Sequence, residues 1–219
     1  MTISALPRLC IRLYLVLVGS DACAQSSAID CDAVKKATVP FELSYHFSNG
    51  RRALLQSYRD QSGDGVIWNR EESEQRIRVQ KTTYIGGDSS EMLAWTTLPV
   101  ESPVVVKATT EGLPKNFDHR SNVEFKVKST TTYADGTSAE RISINSYAFK
   151  SEDQITVGSC VFSVVRGELE YAPYPKTDKP PVHIVQLHFP ELKLTVSGYG
   201  GEPVIDDLKT SFTPIPPIP

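Results

Sequence analysis

Hydrophobic and polar residues alternate with a period of two through most of this chain. The run from residue 41 to residue 47 is the first example, and its apolar members are Phe41, Leu43, Tyr45 and Phe47. One polar residue separates each of them from the next. Because successive side chains of a strand point to opposite faces, this pattern predicts a strand with one buried face.

Ten further runs predict strands in the same way, and no helix-period pattern of useful length competes with them. They are Arg51 to Tyr58, Val66 to Trp68, Arg76 to Ile85, Met92 to Leu98, Val104 to Ala108, Asn122 to Tyr133, Ser138 to Phe149, Gln154 to Tyr171, His183 to Ser197 and Val204 to Phe212. Turn residues stand between them at Ser48-Asn49-Gly50, Gly63-Asp64-Gly65, Gly86-Gly87, Asp135-Gly136 and Gly198 to Gly201. Short strands with such spacing predict an all-β fold, a single antiparallel curved sheet of half-barrel or barrel-like form.

Three segments depart from this alternation. A short helical turn is predicted over Asp30 to Lys36, because aspartate is a good helix N-cap. Ala172 to Pro181 carries four prolines and predicts an exposed loop between strands. Thr213 to Pro219 predicts an extended proline-rich tail, since proline cannot donate a ladder hydrogen bond.

The N-terminus has the three parts of a secretory signal peptide. Arg8 and Arg12 supply positive charge, Leu13 to Val18 is an unbroken apolar stretch, and Ala22-Cys23-Ala24 is a small-residue cleavage site. We therefore expect residues 1–24 to be removed and the protein to be periplasmic or secreted. The apolar stretch is short of the about 20 residues that a transmembrane helix needs, and no later segment approaches that length.

Lipidation of Cys23 is the alternative reading of this leader. It would make Cys23 the mature N-terminus, but Asp21 stands where lipoprotein signals have small or apolar residues. Cleavage after Ala24 is the preferred interpretation.

Removal of the leader would leave about 195 residues, enough for one domain or at most two small ones, and we predict a single β domain over residues 25–212 as the simpler arrangement. Two of the 23 basic residues and one of the 26 acidic residues lie in the leader, which leaves the mature protein with a formal charge of −4. Its basic residues are dispersed among acidic ones, so the sequence does not favour nucleic-acid binding.

Only Cys31 and Cys160 remain of the four cysteines once the leader is removed. In an oxidising compartment two such cysteines most often pair, so we predict a disulfide between them. It would tie the mature N-terminus to a strand late in the chain.

The C-terminal third contains a run from Ile155 to Val165, then His188 to Leu194, and closes on Val204 to Leu208. These segments resemble the C-terminal strands of a broad set of uncharacterised secreted bacterial proteins. The resemblance implies a half-barrel similar to that of the periplasmic lipoprotein carriers, and a bacterial periplasmic location. Cys160 stands where that set has a small or hydroxylated residue, so the disulfide would be a local variation.

Catalytic and metal-binding motifs are weak in this sequence. Gly87-Asp88-Ser89-Ser90 resembles the start of the Gly-Asp-Ser hydrolase motif, but the chain lacks the helices of the α/β sheet on which those enzymes carry the serine. A hairpin turn explains the same residues.

The histidines and paired acids give no convergent set. His183 and His188 are five residues apart, which places them on opposite faces of a strand. His46 and His119 have no acidic or cysteine neighbour at ligand spacing. Asp206-Asp207 and Glu71-Glu72 are adjacent, so their members point apart. We therefore expect no enzyme activity, no metal and no cofactor.

Three function classes follow, in order of preference. The first is binding of an apolar or lipid-like ligand on the curved sheet, with aromatic side chains as its candidate lining. The candidates are Trp68, Trp95, Phe125, Phe149 and Phe162, each of which could instead fill the core. The second class is an envelope structural or assembly protein that acts through protein contacts, and the third is an enzyme.

Overall fold

The structure is a computed structural model, and it describes residues 29–36, 39–59, 65–73, 76–85, 89–96, 103–114, 117–175, 177–178 and 180–215. The predicted leader, residues 1–24, lies outside these ranges. No helix within them is long and apolar enough to cross a membrane.

One short helix, α1 (Cys31–Lys35), precedes the sheet. Asp30 is its N-cap, and the carboxylate accepts a hydrogen bond of 3.0 Å from the backbone N–H of Ala33. Val34 is fully buried and anchors the helix to the core. The predicted helical turn is thus present where the aspartate cap indicated it.

Twelve antiparallel strands form one continuous sheet in the described part of the chain, which confirms the predicted all-β class. They are β1 (Phe41–His46), β2 (Arg52–Arg59), β3 (Gly65–Ser73), β4 (Arg76–Ile85), β5 (Ser89–Thr96), β6 (Val104–Glu111), β7 (Val123–Thr132), β8 (Ser138–Val157), β9 (Cys160–Tyr174), β10 (Val182–Phe189), β11 (Leu194–Tyr199) and β12 (Val204–Lys209). Strands β1 to β11 follow one another across the sheet as they do along the chain, and β12 returns to pair with β1. The edges are therefore β11 and β12, and the sheet is open.

The core joins the two ends of this open sheet. Side chains that are directly opposite each other in an antiparallel strand pair point to the same face of the sheet. By the strand registers from β1 to β9, Phe41 and Phe162 therefore point to opposite faces. Both are nevertheless in one buried cluster. The sheet therefore overlaps itself, with one face of β1, β2 and β12 packed against the opposite face of β9, β10 and β11.

Aliphatic and aromatic side chains from both layers fill this overlap. The members include Phe41, Leu43, Tyr45, Phe47, Leu55 and Leu208 from the first layer, and Phe162, Val164, Leu187, Phe189, Leu194 and Val196 from the second. Full burial of each such side chain contributes about 1.5–3 kcal/mol. Stacking of the two ends thus supplies the main apolar core of the fold.

Two strands predicted as continuous are in fact hairpins. The run Gln154 to Tyr171 is broken by a turn at Gly158 and Ser159, where Gly158 adopts φ +60°. The run His183 to Ser197 is broken by a turn over residues 190–193. The alternation of apolar and polar residues could not reveal these turns, because the same alternation is present both before and after each turn.

The predicted disulfide is confirmed. The sulfur atoms of Cys31 and Cys160 are 2.03 Å apart and their Cα atoms 5.5 Å apart. The bond joins the start of α1 to the start of β9, so it holds the N-terminal segment against the second layer of the core. A structural disulfide fits a protein that folds outside a reducing compartment.

The proline-rich tail begins as a packed segment. Gln56, buried in β2, donates to the carbonyl of Thr213 and accepts from the backbone N–H of Ile215, each at 2.9 Å. Ile215 is itself buried. The tail is therefore bound to the sheet at least as far as Ile215, and residues 216–219 lie outside the described ranges.

Candidate functional site

A cavity of about 240 Å³ lies between strands β7 to β10 and the segment that joins β6 to β7. Four of its lining residues come from the sheet and four from described parts of the connecting segment. The full lining is Leu113, Pro114, Phe117, His119, Phe125, Tyr147, Leu169 and Gln186. The lining contains no aspartate, glutamate, lysine or arginine, and His119 is its one titratable residue near neutral pH.

The strand register explains why the sheet residues converge. Tyr147 of β8 is directly opposite Leu169 of β9, and Gln186 of β10 is opposite Gly167. Phe125 of β7 is directly opposite Asn145, two residues before Tyr147 in β8, and therefore lies on the same face as Tyr147. The alternation that predicted the strands therefore also groups these side chains on one face.

Gly167 makes room for the Tyr147 ring. A Cβ atom at this position would overlap the Tyr147 hydroxyl, so any larger residue would displace the ring. The hydroxyl donates a 3.0 Å hydrogen bond to the backbone carbonyl of His119. Burial, assisted by the charge of Asp118, raises the pKa of Tyr147 to about 12, so it remains a donor.

His119 forms part of the cavity roof in a strained conformation. Its φ is +65°, a left-handed value that is uncommon outside glycine. Its imidazole stacks on that of His188 in β10, with ring centres 3.8 Å apart and planes within 18°. The Phe117 and Tyr147 rings also contact it, at centre distances of 4.6 Å and 5.2 Å.

Both stacked imidazoles are neutral at pH 7. Burial, followed by the neighbouring His188, lowers the pKa of His119 to about 4. Burial, followed by the positive charge of Arg120, lowers the pKa of His188 to about 4, and Asp118 opposes both effects. His188 Nδ1 lies 3.0 Å from the Thr195 hydroxyl. His119 Nδ1 is buried and has no partner within the described ranges.

Polar contacts fix the roof segment to β8. Arg120 makes a two-pronged contact with the Glu152 carboxylate, with N–O distances of 2.7 Å and 3.1 Å. That hydrogen bonding lowers the pKa of Glu152. The Asn122 side chain accepts from the backbone N–H of Phe149 at 2.9 Å. The roof segment is thus anchored to β8 by residues that directly follow His119.

This arrangement is suited to a small uncharged group. Apolar and aromatic side chains form most of the wall, and its polar side-chain groups are the His119 imidazole, the Gln186 amide and the Tyr147 hydroxyl, which donates to the His119 carbonyl. A larger groove of about 670 Å³ crosses β1 to β3, but its lining includes Arg52, Arg70, Glu72 and Asp206. Charged walls disfavour an apolar ligand, so the smaller cavity is the better candidate for one.

The four predicted lining residues whose side chains the structure describes do not converge on this cavity. Phe125 lines the cavity, whereas Phe149 is half-buried nearby on the same face and does not reach it. Phe162 is fully buried in the core, on the opposite face. Trp68 is half-buried on β3, with the Lys81 ammonium 5.7 Å from its ring centre. The side chain of Trp95 lies outside the described part of the structure.

The other candidate clusters remain separate. His183 is exposed on β10, on the face opposite to His188. Asp206 contacts His46 at 2.7 Å, a pairing across the sheet edge that the sequence spacing did not reveal. Gly87 and Asp88 of the hydrolase-like motif lie outside the described ranges.

The paired acids engage different neighbours. Asp207 contacts Lys209, Glu71 contacts Arg51 and Glu72 contacts Arg70. Among the described residues, no group of three or more His, Cys, Asp or Glu side chains is placed to hold a metal ion.

Sequence reasoning missed most of this cavity. Leu113, Phe117 and His119 belong to a connecting segment without a periodic pattern, so nothing in the alternation marks them. The available indication was Gly167, because a glycine inside a strand marks close approach of another group. Here that group is the Tyr147 ring.

Comparison of the chain with protein-family models, with curated proteins and with solved structures finds no match. The resemblance to secreted half-barrel proteins therefore stays a prediction, and the candidate site is interpreted from its own geometry.

Proposed function

We propose that this protein acts outside the cytoplasm, in the periplasm or as a secreted protein, and binds a small apolar ligand in the cavity of β7 to β10. The disulfide and the sequence of the N-terminus support the location. The cavity supports the binding role, since ligand sites are typically concave and mostly apolar with a few placed polar groups.

The observation that carries the proposal is the uncharged wall around this space. Leu113, Phe117, Phe125, Tyr147 and Leu169 supply apolar surface, and the neutral His119 adds no charge. Its volume of about 240 Å³ is smaller than the about 300 Å³ at which drug-sized sites begin. The ligand is therefore a single or fused ring, a short chain, or the end of a longer chain.

Fluorine NMR with fluoronaphthalene tests this proposal. The probe should bind the wild-type protein, and Phe125→Ala should weaken binding about tenfold because the loss of one aromatic wall removes on the order of 1.5 kcal/mol of contact. Phe149→Ala is the matched control: it removes the same ring from the same face outside the cavity lining, and binding should change less than about twofold. Absence of binding, or an equal loss in both variants, would contradict the proposal.

A further inference from the structure

Gln186 brings an amide group to the wall of the cavity of β7 to β10. Its Nε2 lies 3.5 Å from the Ser197 hydroxyl, which is long for a hydrogen bond. Its Oε1 accepts no hydrogen bond from a described residue, and it is not among the described polar atoms that are excluded from solvent. The protein therefore satisfies this amide only in part, and the amide remains accessible to a bound molecule.

The strand registers explain why the amide has no better partner. Gly167, directly opposite Gln186 in β9, has no side chain, and Ser197 is directly opposite in β11. The neighbours along β10 on the same face are Ile184, which is apolar and buried, and His188, whose ring belongs to the histidine stack. The long contact with Ser197 is therefore the hydrogen bond that the described neighbours supply.

Occupation of the cavity changes the surroundings of this amide. A ligand that fills the cavity displaces solvent from the amide, and hydrogen bonds that are lost without replacement weaken binding. A purely apolar ligand replaces none of them. A hydroxyl group replaces them in either orientation of the amide, because it can donate to Oε1 or accept from Nε2.

A charged group does not suit this position, because the lining residues supply no counter-ion. Arg120 of the roof segment is already held by the carboxylates of Asp118 and Glu152, at N–O distances of 3.4 Å and 2.7 Å. A carboxylate or an ammonium group in the cavity would be buried without a partner, which is costly. The polar group that fits beside Gln186 is therefore neutral.

On the basis of the proposed function, we infer that the ligand of this cavity is an apolar ring that carries one hydroxyl group, and that the Gln186 amide binds this hydroxyl. The ring contacts the Phe125, Tyr147 and Leu169 side chains, and the hydroxyl lies at the β10 wall. Gln186 is then the residue that selects a phenol-like ligand over a hydrocarbon of the same shape.

Fluorine NMR titrations of the mature protein with 6-fluoro-2-naphthol and 2,6-difluoronaphthalene test this inference. The two probes differ at one ring position, where the second has fluorine, a poor hydrogen-bond partner, in place of the hydroxyl. The wild-type protein should bind the naphthol at least about fivefold more tightly, which is what one net hydrogen bond contributes.

Two variants test whether Gln186 is the source of this preference. Gln186→Met keeps an unbranched side chain of similar length without the amide, so the two probes should bind with affinities within about twofold of each other. Difluoronaphthalene binding should be retained, which shows that the variant has kept the cavity. Gln154→Met is the matched control: it makes the same change at an exposed position of β8, and the wild-type preference should persist.

The ratio of the two affinities separates this inference from the proposed function. Equal binding of both probes by the wild-type protein, or an unchanged preference in Gln186→Met, would overturn the hydroxyl assignment and leave apolar binding intact. Binding of neither probe would contradict both. If Gln186→Met does not fold, the wild-type side-chain amide resonances of Gln186 decide: the naphthol should shift them more than difluoronaphthalene does, and equal shifts would overturn the assignment.

Discussion

The stacked histidines make the stability of this protein dependent on pH. The unperturbed imidazole pKa is 6.5, and in the folded protein the pKa values of His119 and His188 are lowered to about 4. The unfolded chain therefore binds more protons than the folded chain between these values. Stability is fully present above pH 6.5 and is lost as the pH falls toward 4.

The magnitude follows from that difference. For one imidazole whose pKa is lowered this far, the free energy of unfolding decreases by about 2 kcal/mol between pH 7 and pH 5. Both rings retain some contact with solvent, and screening lowers the expected total for the pair to about 2 kcal/mol. The charged groups that act on the stack are Asp118 and Arg120, with Glu152 holding the arginine.

Urea unfolding followed by tryptophan fluorescence at pH 7 and pH 5 measures this loss. His188→Phe keeps an aromatic ring against His119 but removes one titrating group, so its loss should fall to about 1 kcal/mol. His183→Gln, on the exposed side of the same strand, should retain the wild-type loss. If His188→Phe lost as much stability between pH 7 and pH 5 as the wild type, the histidine stack would not be the source of the pH dependence.

Three further changes test other parts of the structure. Gly167→Ala should cost about 1–3 kcal/mol and abolish fluoronaphthalene binding, because the added Cβ displaces the tyrosine ring above it; unchanged binding would contradict the cavity geometry. Replacement of Cys31 and Cys160 together by serine should cost about 2–4 kcal/mol in urea unfolding, since the bond spans 129 residues of sequence; a cost near zero would contradict its structural role. Gln56→Met should cost about 1–3 kcal/mol and remove hydrogen-exchange protection from the Ile215 amide, because that amide loses its acceptor; retained protection would contradict the bound C-terminal segment.

The strands were predictable because alternation reports directly on which face is buried. In β1, Phe41, Leu43 and Tyr45 are buried as the pattern indicated. The disulfide was predictable because Cys31 and Cys160 are the two cysteines that lie outside the predicted leader. The first inference depends on a local sequence pattern and the second on the number of cysteines, and neither requires knowledge of the tertiary structure.

The overlap of the sheet was not predictable in that way. Each strand pattern shows one buried face, but it cannot show that Phe41 and Phe162 reach the same core from opposite faces. The strand patterns also could not show that Glu42 and Gln56, which are polar residues in strands, are buried beside the C-terminal segment.

The candidate site was predictable only in part, because it depends on contacts between distant residues. Phe125 was identified from its strand. His119 and His188 are 69 positions apart in the chain, and their stack depends on a left-handed residue in an irregular segment. The expected aromatic lining failed to converge because Phe125 and Phe162 occupy different faces of the sheet.

Native mass spectrometry of the mature protein, purified from its own cells without detergent, shows whether the protein carries an apolar ligand. We predict a reproducible adduct that organic extraction recovers as a small apolar molecule, and the loss of this adduct in a Leu169→Trp variant that fills the cavity. A bare protein mass in both preparations would contradict a binding role and favour a structural or partner-binding one.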